Sequence, residues 1–263
     1  MATKRALIVG INGYKGSPLY GCVNDANAMR AVLIELYGFS NANIRVLCDR
    51  DATSDAIKQR IQALVSDATS GDTVVFFFAG HGTQVGVGVG DEVDGKNEAI
   101  VPYDMSYASL ITDDYIYQNL VSPFAGKEAS LTAIFDCCHS GTILRDLIYD
   151  VNGVPFVEVL NRTLPAWFLR DEEAVTRDVA ILPVSGLSAC KDEETAADLK
   201  RVGPRGVPRG AFSYALHKML GDKQAITYGE IEASIGAAVR AVSPKHVQNP
   251  QVSPTDPGRP IFT

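Results

Sequence analysis

The sequence predicts an α/β fold in which an open, mostly parallel β-sheet carries helices on both faces. Over the first two thirds of the chain, short apolar runs typical of buried strands alternate with segments whose apolar residues recur at helical spacing. Such alternation implies right-handed crossover connections between parallel strands. A length of 263 residues and a hydrophobic content of 46% suffice for a packed core without a disulfide or a cofactor.

Composition and charge exclude several classes of protein. The charged fraction of 21% is ordinary for a globular chain and excludes disorder, collagen-like repeats and coiled coils. Acidic residues outnumber basic ones by 31 to 24, so we expect no broad nucleic-acid-binding surface. No apolar run reaches the ~20 residues that cross a membrane, and the N-terminus does not resemble a signal peptide. The five cysteines contain no pair of CxxC motifs, so we expect no structural zinc site. Without an export signal, reduced thiols in the cytoplasm are expected.

Two strands and two helices are predicted in the N-terminal part of the chain. The first strand, Arg5–Ile11, is a short apolar run that ends at a turn dipeptide. A helix capped by Asn24 or Asp25 follows, and Ile44–Cys48 is the second strand. Thr53 opens the second helix, whose apolar residues at helical spacing are Ile57, Ile61, Leu64, Val65 and Ala68.

Three further strands complete the predicted sheet. Thr73–Phe78 and Leu131–Phe135 are apolar on both faces, so we expect them in the middle of a parallel arrangement. A fifth strand is predicted near Val179–Ser185. Two helices, the second with a capping-box pattern, and a final edge strand are predicted at Ala211–Leu220, Gly229–Val242 and Pro260–Thr263.

Three segments interrupt the alternation of strands and helices. Gly82–Asp104 is rich in glycine and acidic residues, and a loop of this length is usually functional or mobile. Asp146–Arg177 has few periodic signals, so we expect an irregular connector. Lys200–Gly210 is predicted to be an exposed basic loop because it is rich in proline and glycine.

Reactive residues follow two of the predicted central strands directly. His81 lies in the sequence AGHG after Thr73–Phe78, and Cys138 lies in DCCHSG after Leu131–Phe135. Functional sites of open parallel sheets lie beyond the carboxyl ends of the strands, so neighbouring strands would bring these two residues together. An imidazole makes a thiolate nucleophile accessible near neutral pH. Backbone amides near Gly82 and Cys138 could stabilise an oxyanion, which completes the parts for acyl transfer.

The motifs in their order resemble those of the caspase-like cysteine peptidases, specifically the metacaspases and the bacterial orthocaspases. The matching segments include GCVNDA, FFFAGHG, NEAIVPYD, ITDD, DCCHSGT, SACKDEETAAD and GAFSYAL. The resemblance covers nearly the whole chain and implies a caspase–hemoglobinase fold with a mostly parallel six-stranded sheet. It also implies one peptidase domain over residues 1–263, with a large-subunit-like segment 1–145, a connector 146–178 and a small-subunit-like segment 179–263.

The resemblance assigns roles to six residues of this chain. Cys138 becomes the nucleophile and His81 the general base and acid, with the amides of Gly82 and Cys138 as the oxyanion hole. Asp25 and Asp136 would form an acidic pocket for the residue before the scissile bond, with Cys22 lining its wall. Two carboxylates select Arg or Lys, and bidentate geometry favours Arg. The resemblance thus implies a cysteine endopeptidase that cleaves protein or peptide substrates after Arg or Lys.

The calcium site found in many metacaspases is incomplete in this sequence. Asp113 and Asp114 match two family ligands, whereas Asn97 and Arg145 stand where the family has Asp. Calcium prefers several hard oxygen ligands, and a positive charge at one of them opposes binding. We therefore expect weak or absent calcium dependence and no required cofactor.

An enzyme with this specificity can cut its own loops, and the resemblance suggests that it is a monomer. The candidate self-cleavage residues are Arg145, Arg162, Arg170, Arg177, Lys200, Arg201, Arg205 and Arg209. Two other functions remain open. An inactive caspase-like scaffold would bind partners without hydrolysis. A flavodoxin-like binding module would need a phosphate loop, and GINGYKGSPLYG matches neither phosphate-binding spacing.

Overall fold

A six-stranded sheet forms the centre of the computed structural model, which describes residues 2–86, 96–124, 126–137, 184–190, 194, 196–204, 206–223 and 225–263. For residues 84–86 and 96–97 the backbone alone is described. In spatial order the strands are β11 (Gln251–Ser253), β8 (Val184–Ser188), β7 (Ser130–Asp136), β3 (Thr73–Ala79), β1 (Lys4–Gly10) and β2 (Ile44–Cys48). All neighbours pair in parallel except β11, which is antiparallel to β8. This architecture confirms the predicted fold class.

The strand order reverses at β1, which pairs with β2 on one side and with β3 on the other. From β3 the sheet continues through β7 to β8, away from β2. Ligand sites of open α/β sheets lie outside the carboxyl ends of the strands at such a reversal. The site is therefore expected where the chain leaves β1 and β3.

Helices cover both faces of the sheet, because alternate residues of the central strands point to opposite sides. One apolar layer contains Leu7, Val9, Phe76 and Phe78, and the other contains Ala6, Ile8, Val75 and Phe77. The helices are α1 (Cys22–Glu35), α2 (Ser54–Asp67), the short α3 (Asp113–Ile116), α4 (Ala211–Asp222) and α5 (Tyr228–Val242). Burial on both faces explains why the central strands are continuous apolar runs. Within the described residues, no helix is long and apolar enough to span a membrane.

The start of α1 differs from the prediction, which placed the cap at Asn24 or Asp25. The helix begins at Cys22 after Gly21, and no side chain caps it. Asp25 consequently lies inside the first turn, where its side chain is buried. At α5, by contrast, the predicted capping box is confirmed, since Thr227 and Glu230 exchange both hydrogen bonds.

Strands occupy parts of two segments that were predicted to be loops. Gly82–Asp104 contributes β4 (Gly82–Gly86) and β5 (Lys96–Ile100), which form an antiparallel sheet with β6 (Ile111–Thr112). The predicted basic loop forms most of an antiparallel hairpin of β9 (Asp198–Val202) and β10 (Val207–Gly210). Both predictions were wrong because segments rich in glycine or proline were taken as loops, although such residues also form the turns that connect paired strands. In the β9–β10 hairpin, Gly203 and Gly206 of the turn have positive φ.

The C-terminal strands also differ from the prediction in position. β8 overlaps the predicted strand near Val179–Ser185 at Val184 and Ser185, and the residues directly before Val184 lie outside the described part of the chain. Pro260 forms an isolated bridge to Thr227 where an edge strand was predicted. The edge is β11. The predicted connector, Asp146–Arg177, lies outside the described residues, so the division of the chain into two segments stays a prediction.

Candidate active site

The register of β3 and β7 brings the two predicted catalytic segments together at the carboxyl ends of these central strands. Ala79 lies beside Asp136 in the parallel ladder, and the Gly80 amide donates a hydrogen bond to the Asp136 carbonyl at 3.2 Å. His81 is the second residue after Ala79, as Cys138 is after Asp136. Cys138 itself lies outside the described residues. The chain that leads to it ends in the buried Cys137, at the sheet edge that also carries His81.

The His81 ring is buried and has a defined hydrogen-bond partner. Its Nε2 lies 2.8 Å from the Ser17 carbonyl oxygen, which can only accept, so Nε2 carries the proton. This assignment leaves Nδ1 as the basic nitrogen. Burial lowers the pKa of His81, while the Ser17 carbonyl and the charge of Asp198 act in the opposite direction. A neutral imidazole at neutral pH is the form that a general base requires.

Tyr14 holds the backbone of His81, a role that the sequence analysis missed. The His81 amide donates to the Tyr14 hydroxyl at 3.1 Å, and that hydroxyl donates to the Val101 carbonyl at 2.8 Å. The Val101 amide in turn donates to the His81 carbonyl at 2.9 Å, and the Tyr14 and His81 rings lie 4.5 Å apart. The sequence signal was available, since Tyr14 closes the turn that follows the carboxyl end of β1.

Asp25 and Asp136, the two predicted pocket carboxylates, are both buried and converge on Gly210. Asp25 accepts hydrogen bonds from Arg209 Nε at 2.5 Å and from the Gly210 amide at 2.7 Å. Asp136 accepts one from the Ser213 amide at 3.2 Å. A Cβ atom on Gly210 would clash with Asp136 and lie 3.1 Å from Asp25 Oδ2. Cys22, also predicted for this pocket, is buried one turn before Asp25 on α1.

The two carboxyl groups of the acidic pocket have raised pKa values. Burial, followed by the charge of Asp136, raises the pKa of Asp25 to about 8, against the opposing effect of Arg209. Burial also raises the pKa of Asp136 to about 6, although hydrogen bonds from Ser213 lower it. Ionised carboxylates held this close in a buried site are stabilised by a cation. The charge of Arg209 favours ionisation of both carboxyl groups.

Comparisons with known proteins identify the family. The family model described as the metacaspase, peptidase C14 domain matches residues 4–147, more than half of the chain. The chain belongs to the metacaspase family. Metacaspase-1 of Schizosaccharomyces pombe is 32% identical over a 295-residue alignment that covers 97% of this chain and 68% of the relative. Metacaspase-1 of Arabidopsis thaliana is 31% identical, with 90% of this chain and 65% of the relative covered.

A solved structure agrees with the family assignment at the level of the fold. Protein GSU0716 of Geobacter sulfurreducens has a TM-score of 0.63 and 23% identity to this chain, and the alignment covers 99% of this chain and 98% of that one. At this identity the likeness concerns the fold alone. Together with the sequence relatives, it confirms the predicted resemblance, and the chain is by family a caspase-like cysteine peptidase.

Asp198 is a third carboxylate of this metacaspase site, and the sequence analysis did not single it out. Its two oxygens accept hydrogen bonds from the Tyr20 amide at 2.6 Å and the Gly21 amide at 2.8 Å. Its charge raises the pKa of both His81 and Asp136. Asp198 therefore fixes the start of α1 and links the acidic pocket electrostatically to His81. It closes the motif SACKDEETAAD, which offered a signal.

Arg209 lies in the segment that was predicted to be an exposed loop, but its side chain is largely buried. Only 12% of its side chain is exposed, and its Nε pairs with Asp25. Its Nη2 contacts Nδ1 of the buried His217, and its guanidinium carbon lies 5.8 Å from the centre of the Tyr214 ring. Proximity in the fold explains the correction, because the β10 strand carries Arg209 directly against the first turn of α1.

The predicted calcium ligands are present in part among the described residues. Asp113 and Asp114 lie in the first turn of α3, which Thr112 caps. Within the described part of the chain, no group of three or more acidic, histidine or cysteine side chains could hold a metal. Calcium takes six to eight oxygen ligands, so these two carboxylates alone do not complete a site. The Asn97 side chain and Arg145 lie outside the described residues.

Gly80 allows the close packing of Tyr14 behind the catalytic loop, and its replacement by alanine is expected to destabilise the protein. A Cβ atom there would lie 2.5 Å from the Tyr14 hydroxyl oxygen and 2.9 Å from Phe78 Cζ. Such overpacking typically costs about 1–3 kcal/mol, which thermal unfolding can measure. Gly126→Ala is the matched control, since a Cβ atom at Gly126 meets nothing within 4 Å. Equal losses for the two variants would contradict the steric argument.

Proposed function

We propose that this metacaspase is an endopeptidase that hydrolyses peptide bonds after Arg or Lys through Cys138 and His81. The convergence of two buried carboxylates, Asp25 and Asp136, beside the edge that carries His81 supports this proposal most strongly. A buried negative charge that has lost its hydration favours a cationic side chain and rejects an acidic one. The chain covers 68% and 65% of the lengths of the two relatives named above, so substrates are inferred from the site.

The proposed reaction proceeds through an acyl-enzyme. His81 takes the proton of the Cys138 thiol, and the thiolate attacks the carbonyl carbon of the scissile bond. The amides of Gly82 and Cys138 stabilise the resulting oxyanion. His81 then gives the proton to the leaving amine as the C–N bond breaks, leaving a thioester. Water, deprotonated by His81, hydrolyses the thioester and restores the free thiol.

Specificity in this proposal comes from charge and geometry. The planar guanidinium of Arg can donate two parallel hydrogen bonds to a carboxylate, whereas the ammonium of Lys acts as a compact point charge. We therefore expect Arg to be preferred to Lys. Asp before the scissile bond would add a third negative charge between Asp25 and Asp136, which is strongly unfavourable.

Peptides that differ only in the residue before the scissile bond test the proposal. Fluorogenic substrates with Arg, Lys or Asp at that position are compared on the wild-type enzyme and on Cys138→Ala. We expect hydrolysis after Arg, then Lys, with none after Asp and none by the variant. A preference for Asp would refute the specificity, and activity retained by Cys138→Ala would refute the nucleophile. Absence of hydrolysis altogether would favour the inactive scaffold.

Self-processing follows as a second part of the proposal. Lys200 is exposed on the β9–β10 hairpin, and Arg201 beside it is exposed as well, so a protease of this specificity can reach them. The four candidates between residues 145 and 177, and Arg205, lie outside the described residues. Fragments that form in wild-type protein and are missing from Cys138→Ala would support self-cleavage, whereas identical bands would exclude it. The monomeric state, the cytoplasmic location and the lack of nucleic-acid or membrane partners stay predictions.

Removal of calcium is expected to leave the proposed peptidase activity essentially unchanged. Arg145 stands where the family has a ligand, and its positive charge opposes a divalent cation. Hydrolysis of the Arg peptide in excess chelator is compared with hydrolysis after calcium is restored, with magnesium as the control ion. A large activation by calcium alone would refute the expectation.

A further inference from the structure

Arg209 places a guanidinium group of the protein itself against the acidic pocket. Its Nε donates to Asp25 Oδ1 at 2.5 Å, and only 12% of the side chain is exposed. A substrate Arg is proposed to bind this same carboxylate through the same chemical group. The pocket is thus already occupied, in the described structure, by a side chain of the class it is expected to recognise.

Arg209 and the Gly210 amide already use part of the hydrogen-bonding capacity of Asp25. Each of its oxygens already accepts a hydrogen bond, one from Arg209 and one from the Gly210 amide. A substrate cation on Oδ1 would lie beside the Arg209 guanidinium, and two like charges this close repel each other in a buried site. A basic side chain can therefore reach Asp25 fully only after Arg209 has moved.

The remaining contacts of Arg209 are with uncharged side chains. Nη2 contacts Nδ1 of His217, which is a neutral acceptor because burial and Arg209 lower the pKa of His217 well below its ordinary value. The Tyr214 ring lies at 5.8 Å, near the outer limit of a cation–π contact. Among the described contacts, Asp25 is the ion-pair partner of Arg209. A basic side chain that binds Asp25 in place of Arg209 removes the ion pair that holds Arg209 in this position.

We propose that Arg209 is an internal competitor for the acidic pocket, which the basic side chain of a substrate must displace from Asp25. This inference rests on the proposed function of the pocket as the binding site for Arg or Lys. The apparent affinity for a basic ligand is then reduced by the fraction of molecules in which Arg209 occupies the pocket. Removal of Arg209 should accordingly strengthen the binding of such ligands.

Benzamidine, whose amidinium group resembles the end of an arginine side chain, tests this inference by calorimetric titration of the full chain. We expect Arg209→Gln to bind benzamidine about ten-fold more tightly than wild type, or more, because the competing occupant is gone. Arg201→Gln is the matched control, since it removes the same charge from an exposed position of the same hairpin, and it should bind as wild type does. Equal or weaker binding by Arg209→Gln would overturn the inference.

Wild-type protein provides a second measurement that does not depend on the folding of a variant. Phenylglyoxal modifies accessible arginines, and peptide mapping reports the rate at each position. Saturating benzamidine should accelerate modification of Arg209 severalfold, because the displaced side chain enters solvent, and leave Arg201 unchanged. Arg209 that remains as protected with benzamidine as without it would overturn the inference.

Peptide hydrolysis, measured in parallel, separates this inference from the proposed function. Tighter benzamidine binding by Arg209→Gln without hydrolysis by any preparation would support the competitor role and refute the peptidase. Hydrolysis after Arg by wild type, with no gain in benzamidine affinity on removal of Arg209, would overturn the competitor role alone.

Discussion

Replacing His81 by alanine is expected to lower kcat/KM for an Arg peptide at least about 10³-fold, as loss of a general base that activates the nucleophile does. The geometry supports this size of effect. Nε2 donates a hydrogen bond to the Ser17 carbonyl oxygen at 2.8 Å, so Nδ1 is the nitrogen that can accept a proton. The amide and carbonyl of His81 are held by Tyr14 and Val101, so the imidazole is positioned before substrate arrives.

The activities of His81→Ala, Cys138→Ala and the double variant together test whether the two residues act as a pair. If the two residues act as one unit, the double variant should be no less active than either single variant. His246→Ala, in the turn after α5, is the control for loss of a histidine elsewhere. Thermal unfolding of each variant separates a catalytic loss from a folding defect. Multiplication of the two single losses in the double variant, or activity of His81→Ala near that of wild type, would contradict the dyad.

Replacing either pocket carboxylate by its amide is expected to lower kcat/KM for the Arg peptide about 30-fold or more, since truncation of one partner in a buried charge pair costs roughly 2–5 kcal/mol. The two variants should differ in stability. Asp25→Asn leaves Arg209 without its counter-charge, a change that costs about 3–5 kcal/mol for a buried pair. Asp136 accepts a hydrogen bond from the Ser213 amide and has no ion-pair partner among the described residues, so Asp136→Asn should cost less.

Kinetics on Arg and neutral peptides, combined with denaturant unfolding, check both parts of the pocket prediction. Cys22→Ala serves as the control, since it changes the wall of the pocket without changing its charge. Equal losses on Arg and neutral peptides would show that the carboxylates have no role in selecting charge. Equal unfolding free energies for Asp25→Asn and Asp136→Asn would contradict the ion pair with Arg209.

The raised pKa of Asp136 also predicts a dependence of stability on pH. Burial raises this pKa to about 6, whereas an unfolded aspartate titrates near 4. Between these values the folded state binds the proton more strongly, so the contribution of Asp136 to stability is present below about pH 4 and is lost as pH rises through about 6. Asp136→Asn should flatten the decline in unfolding free energy over that window.

The regular elements of this protein were predictable where local signals and burial agree. β2 has the predicted bounds, and the capping box before α5 was visible as Thr227 and Glu230. The central strand β3 could be recognised because burial of both faces demands a continuous apolar run. The β9–β10 hairpin was not recognised, since its strands are short and its glycine and proline residues are as typical of loops as of hairpin turns.

The sequence by itself determined the family of this protein and the candidate residues of its active site. Motifs such as AGHG and DCCHSG each lie within four to six consecutive residues, so each can be recognised without knowledge of the fold. Only the tertiary structure decided how charges separated by many residues meet. Asp25 and Arg209 are 184 residues apart in the chain, and their ion pair exists because β10 packs against the first turn of α1. Desolvation acts on such groups only after the fold has buried them, so neither the raised pKa of Asp25 nor the occupant of its pocket was visible in the sequence.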